Sequence, residues 1–189
     1  MNLFSIKQTL IVCFLFGISA IYGQATYTNS AQEASMTLEG KTLGGYTTEF
    51  SFTREEVRRG WWEFSKKFGT PLNMKAYYKV KIPSDYTDGN ADLMIYSKTD
   101  PVEGGVRFFI GVTETEFRDQ IKNLLVDFKR EFYIKKIIDG IKSIELDCTE
   151  IARKYEDTKS EEMLDSLISL RQEIDVMKSK IKAIEKSSL

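Results

Sequence analysis

The chain has 189 residues, with 27 basic and 28 acidic side chains, a 42% share of hydrophobic residues and no histidine. This composition is typical of roughly one globular domain, or slightly more, and excludes a disordered polymer or a multi-span membrane protein. The net charge of −1 gives no electrostatic basis for binding nucleic acid. Without histidine, the Ser-His-Asp and Cys-His nucleophile systems and His-ligated metal sites are also excluded.

Residues 1–23 have the three-part form of a secretory signal peptide. Lys7 is the one charged side chain before the apolar run Leu10–Ile18, and small residues follow the run. Because the run is shorter than the roughly 20 residues of a membrane-spanning helix, we expect export and cleavage, with no stable membrane span afterwards. Two cleavage positions are open, after Gly23 and after Ala25.

The two cysteines give a further indication of location. Cys13 lies inside the apolar run, is not preceded by a lipobox and leaves with the signal peptide. Cys148 then remains alone and has no internal disulfide partner. An exported chain without a disulfide framework is typical of a bacterial periplasm or cell envelope.

Residues 24–112 predict an α+β head domain. Four segments in it alternate apolar and other residues with a period of two, and in a fifth Leu93 and Ile95 face one way with Met94 and Tyr96 the other, as is typical of β-strands. Turn-forming residues connect them, so we expect antiparallel pairing in the order β-β-α-β-β-β. The predicted strands are Ala34–Leu38, Tyr46–Phe52, Met74–Ile82, Leu93–Tyr96 and Val106–Val112.

The helix of this domain has clear start and stop signals. Thr53 and Glu56 have the spacing of a capping box, and Gly69 and Pro71 follow the end of the apolar pattern. The apolar positions recur at steps of four, three and four, which predicts one buried face that covers one face of the sheet. They are Val57, Trp61, Phe64 and Phe68. Gly60 is expected to mark close packing of this helix on the sheet.

Residues 113–189 predict a long antiparallel helical hairpin that resembles a coiled coil. Two runs of apolar residues repeat at three and four, and each is too narrow to be stable alone in water. The first run is Ile134, Ile137, Ile141, Ile144, Cys148, Ile151 and Tyr155, and the second is Leu167, Leu170, Ile174, Met177, Ile181 and Ile184. Between them, Glu156–Ser160 is polar, and Thr158-x-x-Glu161 predicts a second capping box.

Together these features resemble a group of exported proteins of Bacteroidota. The resemblance rests on the signal peptide, the helix that ends in the Lys-Lys-Phe-Gly stretch Lys66–Gly69, the hairpin strands and the charged helical hairpin at the end. It covers the architecture of nearly the whole chain and includes no catalytic motif. It therefore implies a setting in the envelope and no mechanism.

Four oxygen-bearing residues around Gly89 are the best candidate for a metal site. Asp85, Asp88, Asn90 and Asp92 resemble a calcium loop, but the first gap is three residues and no Glu closes the loop. Because Asp, Asn and Gly are also the residues that turns need, a plain hairpin turn is the favoured interpretation. We therefore predict no metal and no cofactor.

Candidate catalytic side chains all have a simpler structural explanation. Cys148 occupies a position in the apolar run of its helix and is predicted to be a buried hydrophobic residue rather than a reactive thiol. The carboxylate pairs are expected to be exposed residues at helix starts, since no convergent partner for acid-base work is evident. These pairs are Glu114 with Glu116 and Glu161 with Glu162.

One row of side chains on the first helix is a candidate binding site. At 100° per residue, Trp62 falls at about 140° from Val57, away from the apolar face. Arg58 and Lys66 lie four residues to either side of Trp62. The row predicts a docking surface for an acidic or lipid-headgroup partner, or else a solvated face on which Arg58 covers the indole.

We therefore expect a non-enzymatic exported protein that acts as an interaction or scaffold protein. Its partner is expected to be another protein, or a second copy bound through the helical hairpin, and not a nucleic acid. The alternative is a module for a small apolar ligand or lipid, because a curved sheet and a helix can enclose a cavity lined by some of the 12 Phe and 9 Tyr. A hydrolase is the third hypothesis.

Overall fold

The computed structural model describes residues 27–84 and 92–187 and confirms an α+β fold, with an antiparallel sheet followed by a long C-terminal helix pair. The described strands are β1 (Gln32–Leu38), β2 (Lys41–Phe50), β3 (Thr70–Asn73), β4 (Tyr78–Ile82), β5 (Leu93–Val102) and β6 (Gly105–Val112). The described helices are α1 (Arg54–Ser65), α2 (Arg118–Thr158) and α3 (Glu161–Lys186). A short 3-10 turn, Thr115–Phe117, precedes α2.

Contacts divide the chain into two compact units. The first, Thr28–Tyr133, holds all six described strands and is called the sheet unit. The second holds the C-terminal residues from Ile134 and is called the hairpin unit. The division falls inside α2, so the first turns of this helix belong to the sheet unit.

The sheet has the order β1-β2-β6-β5-β4-β3, and all neighbouring strands are antiparallel. The strand predicted over Met74–Ile82 is confirmed only at Tyr78–Ile82, because residues 74–77 form a turn that separates β4 from β3. The Asn73 side chain accepts a hydrogen bond from the Lys75 N–H at 2.8 Å, and Lys75 has a φ of 67°. This local bond ends β3 and reverses the chain, and it accounts for the sixth strand.

The predicted turn over residues 100–105 is also shorter in the structure. β5 continues to Val102, with Pro101 opposite Val106 of β6, and leaves Glu103 and Gly104 as the connection. Gly104 has a φ of 76°, which glycine adopts without a steric cost. The result is a tight two-residue hairpin.

The predicted capping box of α1 is confirmed. The Glu56 N–H donates to Thr53 Oγ1, and the Thr53 N–H donates to Glu56 Oε2 at 3.0 Å. α1 ends at Ser65, three residues earlier than the apolar pattern predicts. Phe68 nevertheless packs against Trp61, with ring centroids 6.3 Å apart.

The first turns of α2 cover the same sheet face as α1. Ile121, Leu125, Phe128 and Phe132 are buried at steps of four, three and four. The Phe128 ring lies 5.2 Å from that of Trp61 and 5.2 Å from that of Phe108 on β6. The expected contact of Gly60 with the sheet is wrong, because the ring of Phe132 lies against it instead. Two helices, rather than one, therefore cover this face.

The opposite face of the sheet also has an apolar cluster. Leu43, Tyr96 and Phe109 are buried there, although α1 and the first turns of α2 pack on the other face. Glu39, in the turn between β1 and β2, pairs with Lys79 of β4 at 2.7 Å and accepts a hydrogen bond from the Tyr77 hydroxyl. The turn between β1 and β2 thus reaches β4 across this face, and Leu38 and Tyr77 next to these contacts pack against the cluster.

In the hairpin unit, α2 and α3 pack through the apolar runs of the sequence. The cluster is formed by Ile141, Ile144, Ile174 and Met177, with Ile137, Cys148, Leu170 and Ile181 partly buried against it. The predicted second capping box is wrong. α2 continues through Thr158, whose hydroxyl donates to the Lys154 carbonyl, and Ser160 is the N-cap of α3. The turn is only two residues, and Lys159 has a φ of 51°.

Candidate functional site

The two adjacent tryptophans of α1 have different environments. Trp61 is fully buried, whereas Trp62 is partly exposed on the other side of the helix. Lys66 lies with its ammonium group 5.7 Å from the centre of the Trp62 ring and pairs with Glu63 at 2.9 Å. The row of Arg58, Trp62 and Lys66 is therefore continuous on the surface of the sheet unit.

Tyr78, the first residue of β4, completes this row. Its ring centroid lies 5.5 Å from that of Trp62, with the ring planes 52° apart. The Arg58 guanidinium lies 4.7 Å from the centre of the Tyr78 ring. Arg58 thus covers the ring of Tyr78, and the cation next to the Trp62 ring is Lys66. The expectation that Arg58 covers Trp62 is therefore wrong.

Arg58 is held in place by two neutral acceptors. Its Nη2 donates to the Lys75 carbonyl at 2.8 Å, and its Nε donates to the Tyr78 hydroxyl at 3.4 Å. Neither acceptor carries a negative charge, so these bonds fix the position of the guanidinium without neutralising it. The turn at residues 74–77 therefore serves to position a cation.

Arg58, Trp62 and Tyr78 line a shallow surface depression of about 410 Å³. Its lining adds Glu55, Arg59 and Asn73 to Arg58, Trp62 and Tyr78. The charged groups of this lining are the guanidinium groups of Arg58 and Arg59 and the carboxylate of Glu55. Aromatic faces and an excess of positive charge suit the binding of a negatively charged group. We call this depression the Trp62 site.

Sequence patterns identified two of the six residues that line the Trp62 site, Arg58 and Trp62. The row on α1 follows from helical spacing, but Tyr78 is a regular apolar position of a predicted strand with no local sign of a surface role. Asn73 gives a turn signal that the alternation of Met74 and Ala76 obscured. The packing of α1 beside β3 and the contacts of Tyr78 with Arg58 and Trp62 place these residues together.

A buried amine lies elsewhere in the sheet unit. Lys129 of α2 is 3% exposed, and its Nζ donates to Thr48 Oγ1 at 2.8 Å and to Thr28 Oγ1 at 3.4 Å. Burial lowers the pKa of Lys129 to about 8, partly opposed by the negative charge of Glu49. Sequence patterns gave no indication of this cluster, since a lysine in a helix is usually exposed.

The other candidates of the sequence show ordinary contacts. Asp92 pairs with Lys81 at 2.7 Å and accepts from the Ser84 N–H, and these bonds hold its pKa below the usual range. Asp85, Asp88 and Asn90 lie outside the described residues. Burial, followed by the charges of Asp147 and Glu145, raises the pKa of the Cys148 thiol. The predicted glutamate pairs are exposed, and Glu161 and Glu162 lie in the first turn of α3.

Comparisons with protein-family models, with curated proteins and with solved structures gave no match to this chain. Its function is therefore argued from the geometry of its own residues. Within residues 27–84 and 92–187, no cluster of acidic or cysteine side chains is arranged to hold a metal ion. Among the same residues, no helix is both long and apolar enough to cross a membrane.

Proposed function

We propose that this chain is a non-enzymatic interaction protein of the periplasm or cell envelope, whose sheet unit binds an acidic segment of a partner protein at the Trp62 site. The observation that carries this proposal is the position of Arg58. Its guanidinium is fixed by Tyr78 and Lys75 through neutral acceptors, next to the partly exposed ring of Trp62. A cation held in this way binds a carboxylate with little further loss of side-chain entropy.

The composition of the Trp62 site supports binding rather than catalysis. Its side chains are a carboxylate, two guanidinium groups, an amide and two aromatic rings. Trp, Tyr and Arg are the residues that contribute most to protein interfaces. A nucleophile paired with a base, which covalent catalysis needs, is not part of this set. Export is proposed from the N-terminal segment of the sequence.

The packing of the sheet unit argues against the alternative of an apolar-ligand module. Such a ligand needs open space between the helices and the sheet. In the described core this space holds Phe50, Phe108 and Phe128, whose ring centroids are 5.2 to 6.1 Å apart. The aromatic residues that suggested a cavity lining instead fill the interior.

Binding of defined peptides tests the proposal. Tryptophan fluorescence is followed while the protein is titrated with a Tyr-containing peptide rich in Asp and Glu, and with its Asn and Gln counterpart. We expect the acidic peptide alone to bind, and to bind about tenfold more weakly to Arg58→Gln, because charged contacts at a fixed cation contribute one to a few kcal/mol. Arg107→Gln is the matched control, since Arg107 is an exposed arginine of β6 that pairs with Glu49.

Two results would contradict the proposal. Equal binding of the acidic and neutral peptides would show that charge plays no part. Unchanged binding to both Arg58→Gln and Trp62→Ala would place any binding elsewhere on the protein. Sedimentation with anionic lipid vesicles, in place of peptide binding, would assign the Trp62 site to a lipid headgroup.

A further inference from the structure

The outer surface of α3 carries exposed apolar side chains that the hairpin itself does not cover. Leu164 is 41% exposed, Ile168 49% and Val176 55%. At 100° per residue they spread over about 120° of the outer half of the helix. Two depressions lie next to them, one of about 530 Å³ that also includes Glu145 and Cys148 of α2, and one of about 470 Å³ on α3 alone. Large apolar side chains grouped on one exposed face mark an interaction surface.

The two depressions differ in the size of the side chains that line them. Leu164 and Ile168 project from the N-terminal half of α3, on the wall of the first depression. The second depression, in the C-terminal half, is lined by Val176, by the small residues Ser179 and Ala183, and by the charged residues Asp175 and Lys180. Large side chains at one end therefore match small ones at the other, which is the arrangement of a surface that packs on itself in an antiparallel sense.

The charges of the hairpin unit are divided in the same way. Residues 146–173, on both sides of the turn, have eight acidic and four basic side chains, a net charge of −4. The remaining segments, 134–145 and 174–187, have seven basic and four acidic side chains, a net charge of +3. Because α2 and α3 form a hairpin, folding brings like-charged segments together and does not neutralise them. A second hairpin that runs in the opposite direction places the acidic segment of one copy beside the basic segment of the other and so neutralises both.

We propose that two copies of this chain associate through their α3 helices, antiparallel and about a twofold axis near Gln172. This arrangement places Ile168 opposite Val176 of the second copy and Leu164 opposite its Ser179–Ala183 segment. Glu162 and Lys180 lie on the same flank of α3. Glu162 of each copy then faces Lys180 of the other, so the interface contains this charge pair twice. The inference is independent of the Trp62 site.

Charge reversal tests the pairing. Glu162→Lys and Lys180→Glu each place like charges together in a homodimer, and we expect each to weaken dimerisation by about tenfold or more. An equimolar mixture of the two variants restores opposite charges in a heterodimer, so its affinity returns to that of the wild type. Glu103→Lys, an exposed reversal in the turn between β5 and β6, is the matched control, since it lies outside the hairpin unit and leaves dimerisation unchanged. Sedimentation equilibrium on the full chain measures each constant, and circular dichroism checks that helicity is retained.

Disulfide trapping tests the direction of the helices. In a Cys13→Ser, Cys148→Ser background, Gln172→Cys lies on the twofold axis of the antiparallel arrangement, and we expect oxidation to link two copies. Lys182→Cys meets its counterpart only in a parallel pair and is expected to remain unlinked. The apolar contacts are tested by Leu164→Ser with Ile168→Ser, which we expect to give monomers.

Three results would overturn the inference. The first is a wild-type chain that remains monomeric at all accessible concentrations. The second is a dimer that survives Leu164→Ser with Ile168→Ser. The third is a disulfide at Lys182→Cys, which would establish a parallel pair.

Discussion

The ring of Phe132 occupies the space that a β-carbon on Gly60 would need. This contact joins α1 to the first turns of α2 and explains why a glycine lies inside an otherwise regular helix. We expect Gly60→Ala to destabilise the sheet unit, although at an exposed helix position alanine is more stable than glycine by about 1 kcal/mol. Overpacking a core of this kind costs about 1 to 3 kcal/mol.

Chemical denaturation of a double-mutant cycle measures this contact. Phe132→Leu removes the ring, so Gly60→Ala is expected to cost less in that background than in the wild type. If the cost is the same in both backgrounds, the β-carbon does not meet Phe132.

The two tryptophans are expected to differ sharply in their effect on stability. Trp61 is fully buried among aromatic rings, so Trp61→Ala leaves a cavity and is expected to cost about 3 to 5 kcal/mol. Trp62 contacts Tyr78 from a partly exposed position, and Trp62→Ala is expected to cost about 1 kcal/mol or less. Urea unfolding followed by circular dichroism compares them. Similar losses in both variants would mean that Trp62 contributes to the core.

The pH dependence of stability is expected to depend on Lys129. Its pKa is about 8 when folded and 10.5 in its ordinary state, so the unfolded chain holds the proton more tightly between these values. Stability therefore rises as pH increases from 8 towards 10.5, by up to about 3 kcal/mol, and the full cost of burying the charge is present below pH 8. Denaturant midpoints between pH 7 and 10.5 measure the trend.

Lys129→Met provides the control for this trend. It removes the titrating amine and keeps a long side chain beside Thr48, so the rise with pH is expected to be absent. If the variant follows the wild-type curve, another group is responsible.

The hairpin unit is expected to lose its packing when a charge enters its apolar cluster. Ile174 is 8% exposed between α2 and α3, and Ile174→Asp buries a carboxylate without a partner, at a cost of several kcal/mol. Hydrogen exchange followed by mass spectrometry is expected to show rapid exchange in α3, while β5 and β6 stay protected. Loss of protection in the strands as well would show that the two units unfold together.

Local signals in the sequence predicted those parts of the fold that depend on neighbouring residues. The capping box of Thr53 and Glu56 and the apolar runs of α2 and α3 are of this kind. The packing of residues 118–133 on the sheet was not predicted, because Ile121 and Phe128 have the same helical spacing as the apolar run that starts at Ile134. A helical period indicates which face of a helix is buried, but it does not indicate whether a sheet or another helix covers that face.

The same reasoning applies to the Trp62 site. Arg58, Trp62 and Lys66 share one helix, so their alignment is a matter of helical geometry. Tyr78 and the carbonyl of Lys75 come from a hairpin whose turn was not predicted, and their contact with Arg58 depends on how that hairpin packs beside α1. Contacts of this kind are tertiary and have no short-range signature.

The pairing of β2 with β6 has a consequence for the order of folding. Thr48 lies opposite Phe108, about 60 residues later, whereas β1–β2, β3–β4, β4–β5 and β5–β6 pair across short connections. Closing the long loop costs more chain entropy, so this pair is expected to form last and to set the folding rate. Until then, the apolar β6 has an open edge of backbone donors and acceptors. Newly synthesised chains are therefore most prone to aggregate before β2 pairs with β6.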